Sequence, residues 1–114
     1  PHINDIRALA GSFHYFSPKL KKLHYNPTLK LKTNHYKDDV YSFGLTLYEL
    51  ITRKIGHSTA KWGNSKYSRD VYHYTKNSDL TDIIEYMLED DEDKRPDFIE
   101  LFEIFNKKFT FYED

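Results

Sequence analysis

A mainly α-helical fold is predicted for this chain of 114 residues. Three observations carry the prediction. Apolar residues recur at helical spacing in three segments, capping residues stand at the starts of the first and third, and no segment alternates apolar and polar residues as a strand does.

The elements follow in order. Residues 1–20 read as irregular, punctuated by Gly11 and Pro18. From Lys19 to Lys37 there are six lysines and no acidic residue, which reads as a basic loop with one short helix at its start. Asp38 to Arg53 is predicted as a helix with Asp38 as N-cap, because Val40, Phe43, Leu47, Leu50 and Ile51 recur at helical spacing. Tyr41, Leu45 and Tyr48 cover further faces, which places this helix in the middle of the core. Gly44 predicts a close neighbour, since a mid-helix glycine otherwise costs about 1 kcal/mol.

Ile55 to Asn77, with Gly56, Trp62 and Gly63, reads as loop with one short helix. Asp79 to Glu89 is predicted as a helix whose stripe is Leu80, Ile83, Ile84, Met87 and Leu88. The acidic run from Glu89 to Asp93 is expected to be solvated. A third helix starts at Asp97 after Pro96, with Glu100 completing a capping box and Phe98, Leu101, Phe102, Phe105 and Phe109 as its stripe.

Composition narrows the function classes. Ten Tyr and eight Phe supply core area and argue against disorder. The net charge of -1 gives no global reason for nucleic acid or an anionic membrane as partner. The charge is nevertheless uneven, with residues 1–57 at +5 and residues 58–114 at -6. Oppositely charged halves either attract within one fold or form two separate surfaces. The absence of Cys excludes disulfides and thiolate metal sites. With no Asn-x-Ser/Thr sequon, it fits a reducing, cytoplasmic setting. Phe43 to Ile51 is too short to span a bilayer, so no membrane role is expected. The chain opens on Pro1 without Met and reads as a piece of a longer protein.

No self-sufficient chemical motif is present. The four glycines build no phosphate cradle, and the six histidines have no ligand spacing, so no metal site is expected. The basic stretch contains Tyr25, Tyr36, His24 and His35, a mixture able to stack on a single nucleic-acid strand. A solvated basic loop explains the same residues and is the commoner case, so nucleic acid is not the expected partner.

Three separated segments, in order, resemble the C-terminal lobe of the eukaryotic protein kinases. Gly11-Ser12-Phe13-His14-Tyr15-Phe16-Ser17-Pro18-Lys19 is similar to the end of the activation segment, G-T-x-x-Y-x-[AS]-P-E. Tyr36-Lys37-Asp38-Asp39-Val40-Tyr41-Ser42-Phe43-Gly44 resembles Y-x-x-x-S-D-V-W-S-x-G at the start of helix F. Met87-Leu88 through Asp91-Glu92-Asp93-Lys94-Arg95-Pro96-Asp97-Phe98 resembles the turn from helix H to helix I, L-x-x-D-P-x-x-R-P-x-F. The Ser-Pro-Lys-Leu variant with its long basic connection resembles a branch of ciliate kinases. The resemblance implies a partial kinase domain over 1–114. Residues 1–37 form the activation-segment end and basic connection, 38–53 helix F, and 79–109 helices H and I.

The resemblance also implies roles. Leu9, Gly11, Ser12, Phe13 and Phe16 would meet the protein substrate, with Leu9, Phe13 and Phe16 lining the pocket for the residue after the phosphoacceptor. Tyr15, Pro18, Asp39 and Arg95 would support the active site, Asp39 by accepting hydrogen bonds from the catalytic-loop backbone. Ser12 and Tyr15 favour the serine/threonine type. No hydroxyl lies between Pro1 and Gly11, which excludes activation by phosphorylation there. The Gly-rich loop, the strand lysine, and the H-R-D and D-F-G motifs, which bind ATP and Mg2+ in a complete domain, are absent from this chain. The chain therefore holds no catalytic residue, binds no cofactor alone, and has the rest of the kinase domain as its implied partner. Helix F and Asp39 would then stay uncovered. A pseudokinase remnant acting as a protein-interaction module is the alternative. An unrelated helical nucleic-acid binder is the third reading.

One departure from the pattern yields a specific expectation. The family's Glu that pairs with the arginine matching Arg95 is Lys19 here. Arg95 is expected to turn to nearby carboxylates or backbone carbonyls, with Lys19 in solvent and Lys19→Glu stabilising.

Overall fold

The computed structural model describes residues 15–26, 28, 32, 34–54 and 64–109. They form five helices: α1 (Pro18–Tyr25), α2 (His35–Thr52), α3 (Asn64–Thr75), α4 (Ser78–Met87) and α5 (Phe98–Lys108). No strand occurs among the described residues, and the chain is mainly helical there. Leu9, Gly11, Ser12 and Phe13, and residues 55–63, lie outside them.

The first helix begins where the sequence supplies a start signal. Ser17 caps α1 by accepting the Leu20 N–H, and Pro18 occupies the first turn, where a missing N–H costs nothing. The next helix corrects the sequence reading. α2 starts one turn before Asp38, because the Asn34 side chain accepts the N–H groups of Tyr36 and Lys37. Asp38 is thereby freed from capping and turned inward, where it is 3% exposed.

The core lies where α2 meets α3, α4 and α5. Val40, Tyr41, Leu45 and Tyr48 are buried against Tyr67 and Val71 of α3 and against Ile83, Ile84 and Met87 of α4. The predicted stripe on α2 is therefore rotated: Phe43 is 48% and Leu50 61% exposed. Gly44 explains the rotation. A Cβ there would stand 2.8 Å from Met87 Cβ and 3.1 Å from Leu88 Cδ2, so α4 approaches the one position of α2 without a side chain. The close approach expected at Gly44 is present.

α3 extends well beyond the short helix expected between 55 and 77. Its buried stripe is Tyr67, Asp70 and Val71, with a carboxylate in the middle. That polar residue hides the apolar period from the sequence. The Tyr67 ring meets the Tyr48 ring edge-on at 4.9 Å, a favoured aromatic geometry. Lys76 takes a left-handed φ of 52° between α3 and α4, and Asn77 caps α4.

Asp97 and Glu100 form the full capping box predicted for α5. The phenylalanine stripe of α5 is not enclosed. Phe98, Phe102 and Phe105 remain 41%, 63% and 39% exposed. With Phe43, Leu47 and Met87 they line an open apolar cavity of about 290 Å³. No helix among the described residues is long and apolar enough to cross a membrane.

Candidate functional site

Three distant parts of the chain meet at one buried junction. Ser17, at the start of α1, is fully buried and donates its hydroxyl proton to Asp38 Oδ1 at 2.7 Å. Asp38 is on α2. The Arg95 guanidinium, 1% exposed, lies with Nη1 3.9 Å from the same oxygen.

Arg95 is satisfied chiefly by carbonyls. It donates from Nε to Glu89 O at 2.8 Å, from Nη1 to Lys37 O at 3.2 Å and from Nη2 to Asp90 O at 3.3 Å. Its flat face lies 5.1 Å from the Tyr41 ring centre, a cation–π arrangement. Burial lowers its pKa from the ordinary value, and Asp38 partly opposes this. Carbonyl acceptance is one of the two arrangements expected for Arg95. The acceptors are the carbonyls of Lys37, Glu89 and Asp90, not the neighbouring side chains of Asp91 and Asp93.

Lys19 is not in solvent. Its ammonium donates to Glu92 Oε2 at 2.9 Å and to Lys32 O at 2.8 Å. Glu92 Oε1 accepts the Asn34 N–H at 2.9 Å, and the Glu92 carbonyl accepts from Lys37 Nζ at 3.1 Å. Burial pushes the Glu92 pKa up, but the hydrogen bonds from Asn34 and Lys19 outweigh it and leave the pKa lowered. The acidic run is thus only partly solvated. Its Glu92 joins the basic half of the chain to the acidic half, so part of the charge asymmetry is spent inside the fold. Both basic residues, Lys19 and Arg95, thus face carboxylates from elsewhere in the chain, Glu92 and Asp38.

Asp38 carries an open valence. Its Oδ2 is buried without a hydrogen-bond partner among the described residues. Burial raises its pKa, and the Ser17 hydrogen bond and the Arg95 charge only partly counter that.

Of the expected support residues, Arg95 lies in this junction, Pro18 follows Ser17 at the start of α1, and Tyr15 lies further along α2. Tyr15 donates its hydroxyl to Glu49 at 2.7 Å, and its carbonyl accepts from Ser42 Oγ at 2.7 Å, which ties the segment before α1 to α2. Asp39 does not join them. It is exposed, one step round the helix from buried Asp38. It shares an outward face of α2 with Tyr36, Phe43, Thr46 and Leu50, all exposed. Phe16 is half-buried, with its ring 6.3 Å from the His24 ring of α1. Sequence reasoning missed Ser17, Asn34, Asp38 and Glu92. The Ser-Pro start of α1 was a legible capping signal, whereas nothing in the acidic run marks Glu92. Among the described residues, no group of three or more His, Asp or Glu side chains is arranged to hold a metal ion.

Comparison with known proteins supplies one partial likeness. A probable leucine-rich repeat receptor-like protein kinase of Arabidopsis thaliana is 34% identical over 78 residues, which is 62% of this chain and 6% of that protein. No family model matches the chain, and no solved structure matches it. The likeness indicates a relationship to protein kinases over part of the chain.

Proposed function

We propose that the chain is the lower-lobe portion of a serine/threonine protein-kinase-related domain, in which it holds the substrate-side segment against the central helix. The observation that carries this reading is the buried junction. Ser17, Asp38 and Arg95 come one each from the three segments that resemble kinase motifs, and they meet in space. The outward face of α2 adds support, since Asp39 sits on it beside uncovered Phe43 and Leu50. A catalytic loop and its neighbouring helix, supplied by the rest of such a domain, would cover that face. ATP and Mg2+ would be bound by those other parts, and the substrate would be a protein hydroxyl.

The test starts with the parent reading frame and its H-R-D and D-F-G motifs. The whole protein should then transfer the γ-phosphate of Mg-ATP to serine or threonine, while the chain alone should give no binding heat with Mg-ATP. Absence of both motifs and of transfer would overturn the reading in favour of a remnant that binds proteins. The apolar cavity between Phe43 and the phenylalanines of α5 is the observation that favours this second reading.

A further inference from the structure

Glu92 draws together parts of the chain that are far apart in sequence. Its side chain is 11% exposed and takes two donors, Lys19 Nζ at 2.9 Å and the Asn34 N–H at 2.9 Å. Its carbonyl accepts Lys37 Nζ at 3.1 Å and the Arg95 N–H at 3.2 Å. The turn that carries Glu92 is fixed in its own right, because Arg95 donates from the buried junction to Lys37 O. Lys37 thus meets this turn through both its ammonium and its carbonyl. Lys19 adds the end of the basic connection, since the same ammonium donates to Lys32 O at 2.8 Å. The segment entering α1 is therefore anchored twice, at Ser17 by Asp38 and at Lys19 by Glu92. One hydrogen bond fixes a point. A second, in the first turn of α1, fixes the direction of the chain about that point. Phe16 adjoins the first anchor and is half-buried, so both anchors set where it stands.

We propose that Glu92 is a positioning residue: through Lys19 it orients Phe16 and the segment around it, and so sets the affinity of the site for its protein substrate. This rests on the kinase reading above, which places Phe16 in the pocket for the residue following the accepting hydroxyl. The resembling motif carries a glutamate at position 19, on the segment. Here the segment supplies the cation, and the carboxylate comes from the turn before α5. The pair is largely shielded from solvent on the Glu92 side, so it is screened less than a surface ion pair. Glu92 acts through Lys19 and not on the nucleotide. Its loss should therefore weaken peptide binding and leave ATP binding, which belongs to other parts of the domain, as it was.

Glu92→Gln is the informative variant, because its amide oxygen still accepts the Asn34 N–H while the charge facing Lys19 is gone. The whole protein is assayed with Mg-ATP on a peptide mixture randomised around one serine. Glu92→Gln and Lys19→Met should each raise the apparent KM for peptide about fivefold, the effect of one partly buried ion pair. The KM for ATP and kcat should stay within about twofold of wild type, the pattern of lost binding and not of lost chemistry. The double variant should be no worse than either single one, since both remove the same contact. Lys19→Arg should behave as wild type. An unchanged peptide KM in both single variants overturns the proposal, as does a fall in kcat with both KM values constant, or additive losses in the double variant. No transfer by the wild-type protein overturns the kinase reading instead, and the chain alone then decides the anchoring. Amide exchange at Lys21, whose N–H donates to Ser17 O at 3.0 Å, should quicken about fivefold in Glu92→Gln, with Leu88 in the core unchanged. Equal exchange at Lys21 in the two forms would overturn the anchoring.

Discussion

Asp38 and Asp70 are both nearly inaccessible, at 3% and 6% exposed, and the fold treats them in opposite ways. Asp70 accepts the Tyr48 hydroxyl at 2.6 Å and the Lys66 ammonium at 3.0 Å, with Lys54 3.5 Å away. Burial pushes its pKa up, but these partners together overcome that and hold it below 3.8. Asp38 has one hydrogen bond, an arginine at 3.9 Å and an orphaned oxygen, and burial wins. Equal burial therefore says little about a carboxylate. What matters is whether donors reach both oxygens.

The largest test of this contrast removes the cation shared by the weaker site. Arg95→Met leaves Asp38 buried beside no positive charge and strips three carbonyls of their donor. The expected cost is about 3–5 kcal/mol in urea unfolding. A loss near 1 kcal/mol would mean that Asp38 is already neutral at pH 7.

The next test compares the carboxylates directly. Asp70→Asn gives up charge-assisted hydrogen bonds and should cost about 2 kcal/mol. Asp38→Asn keeps an acceptor for Ser17 and removes a poorly compensated charge, so it should change stability by less than about 1 kcal/mol. Equal urea midpoints for the two variants would erase the contrast.

The same pair separates with pH. Asp38 has a folded pKa above 3.8, so its favourable contribution is complete below 3.8 and is lost as pH rises through the raised value. Asp70 has a folded pKa below 3.8. Its contribution is complete above 3.8 and is lost only as pH falls through the lowered value. Between about pH 7 and pH 4, the midpoint difference between wild type and Asp38→Asn should therefore move in favour of wild type on acidification. The Asp70→Asn difference should stay level over that window and narrow below it. Parallel curves would reject the assignment.

The smallest effect concerns the edge of the Asp38 junction. Lys19→Glu was expected from sequence to restore a pair with Arg95. The pair of Lys19 with Glu92 reverses the sign, and the variant should lose about 1 kcal/mol through a lost ion pair and a new like-charge contact. Adding Glu92→Lys should recover most of the loss, with the cycle read from urea midpoints.

These sites also show what was legible in the sequence. The three apolar or capped segments, Gly44 as a contact point and the capping box at Asp97 were readable because each depends on neighbours in sequence. The buried carboxylate was not. Asp38 and Asp39 are adjacent and chemically identical, and the choice between them turns on where α2 begins. Asn34 moves that start by one turn, and each residue along a helix rotates the side chain by roughly 100°. α3 was hidden for a related reason, since Asp70 occupies the position where its stripe needed a hydrophobe. Glu92 owes its role to contacts with residues 19, 34 and 37, which no local pattern announces.

One hydroxyl joins these observations. Ser17 has a single proton and gives it to Asp38, while its oxygen accepts the Leu20 N–H. The atom that starts α1 is therefore also the atom that satisfies α2, and the cap is fully formed only when α2 is in place. Helix initiation at residue 17 becomes a report on tertiary assembly. Amide exchange at Leu20 should accordingly follow the opening of the Asp38 junction and stay slower than the fraying of an isolated eight-residue helix would allow.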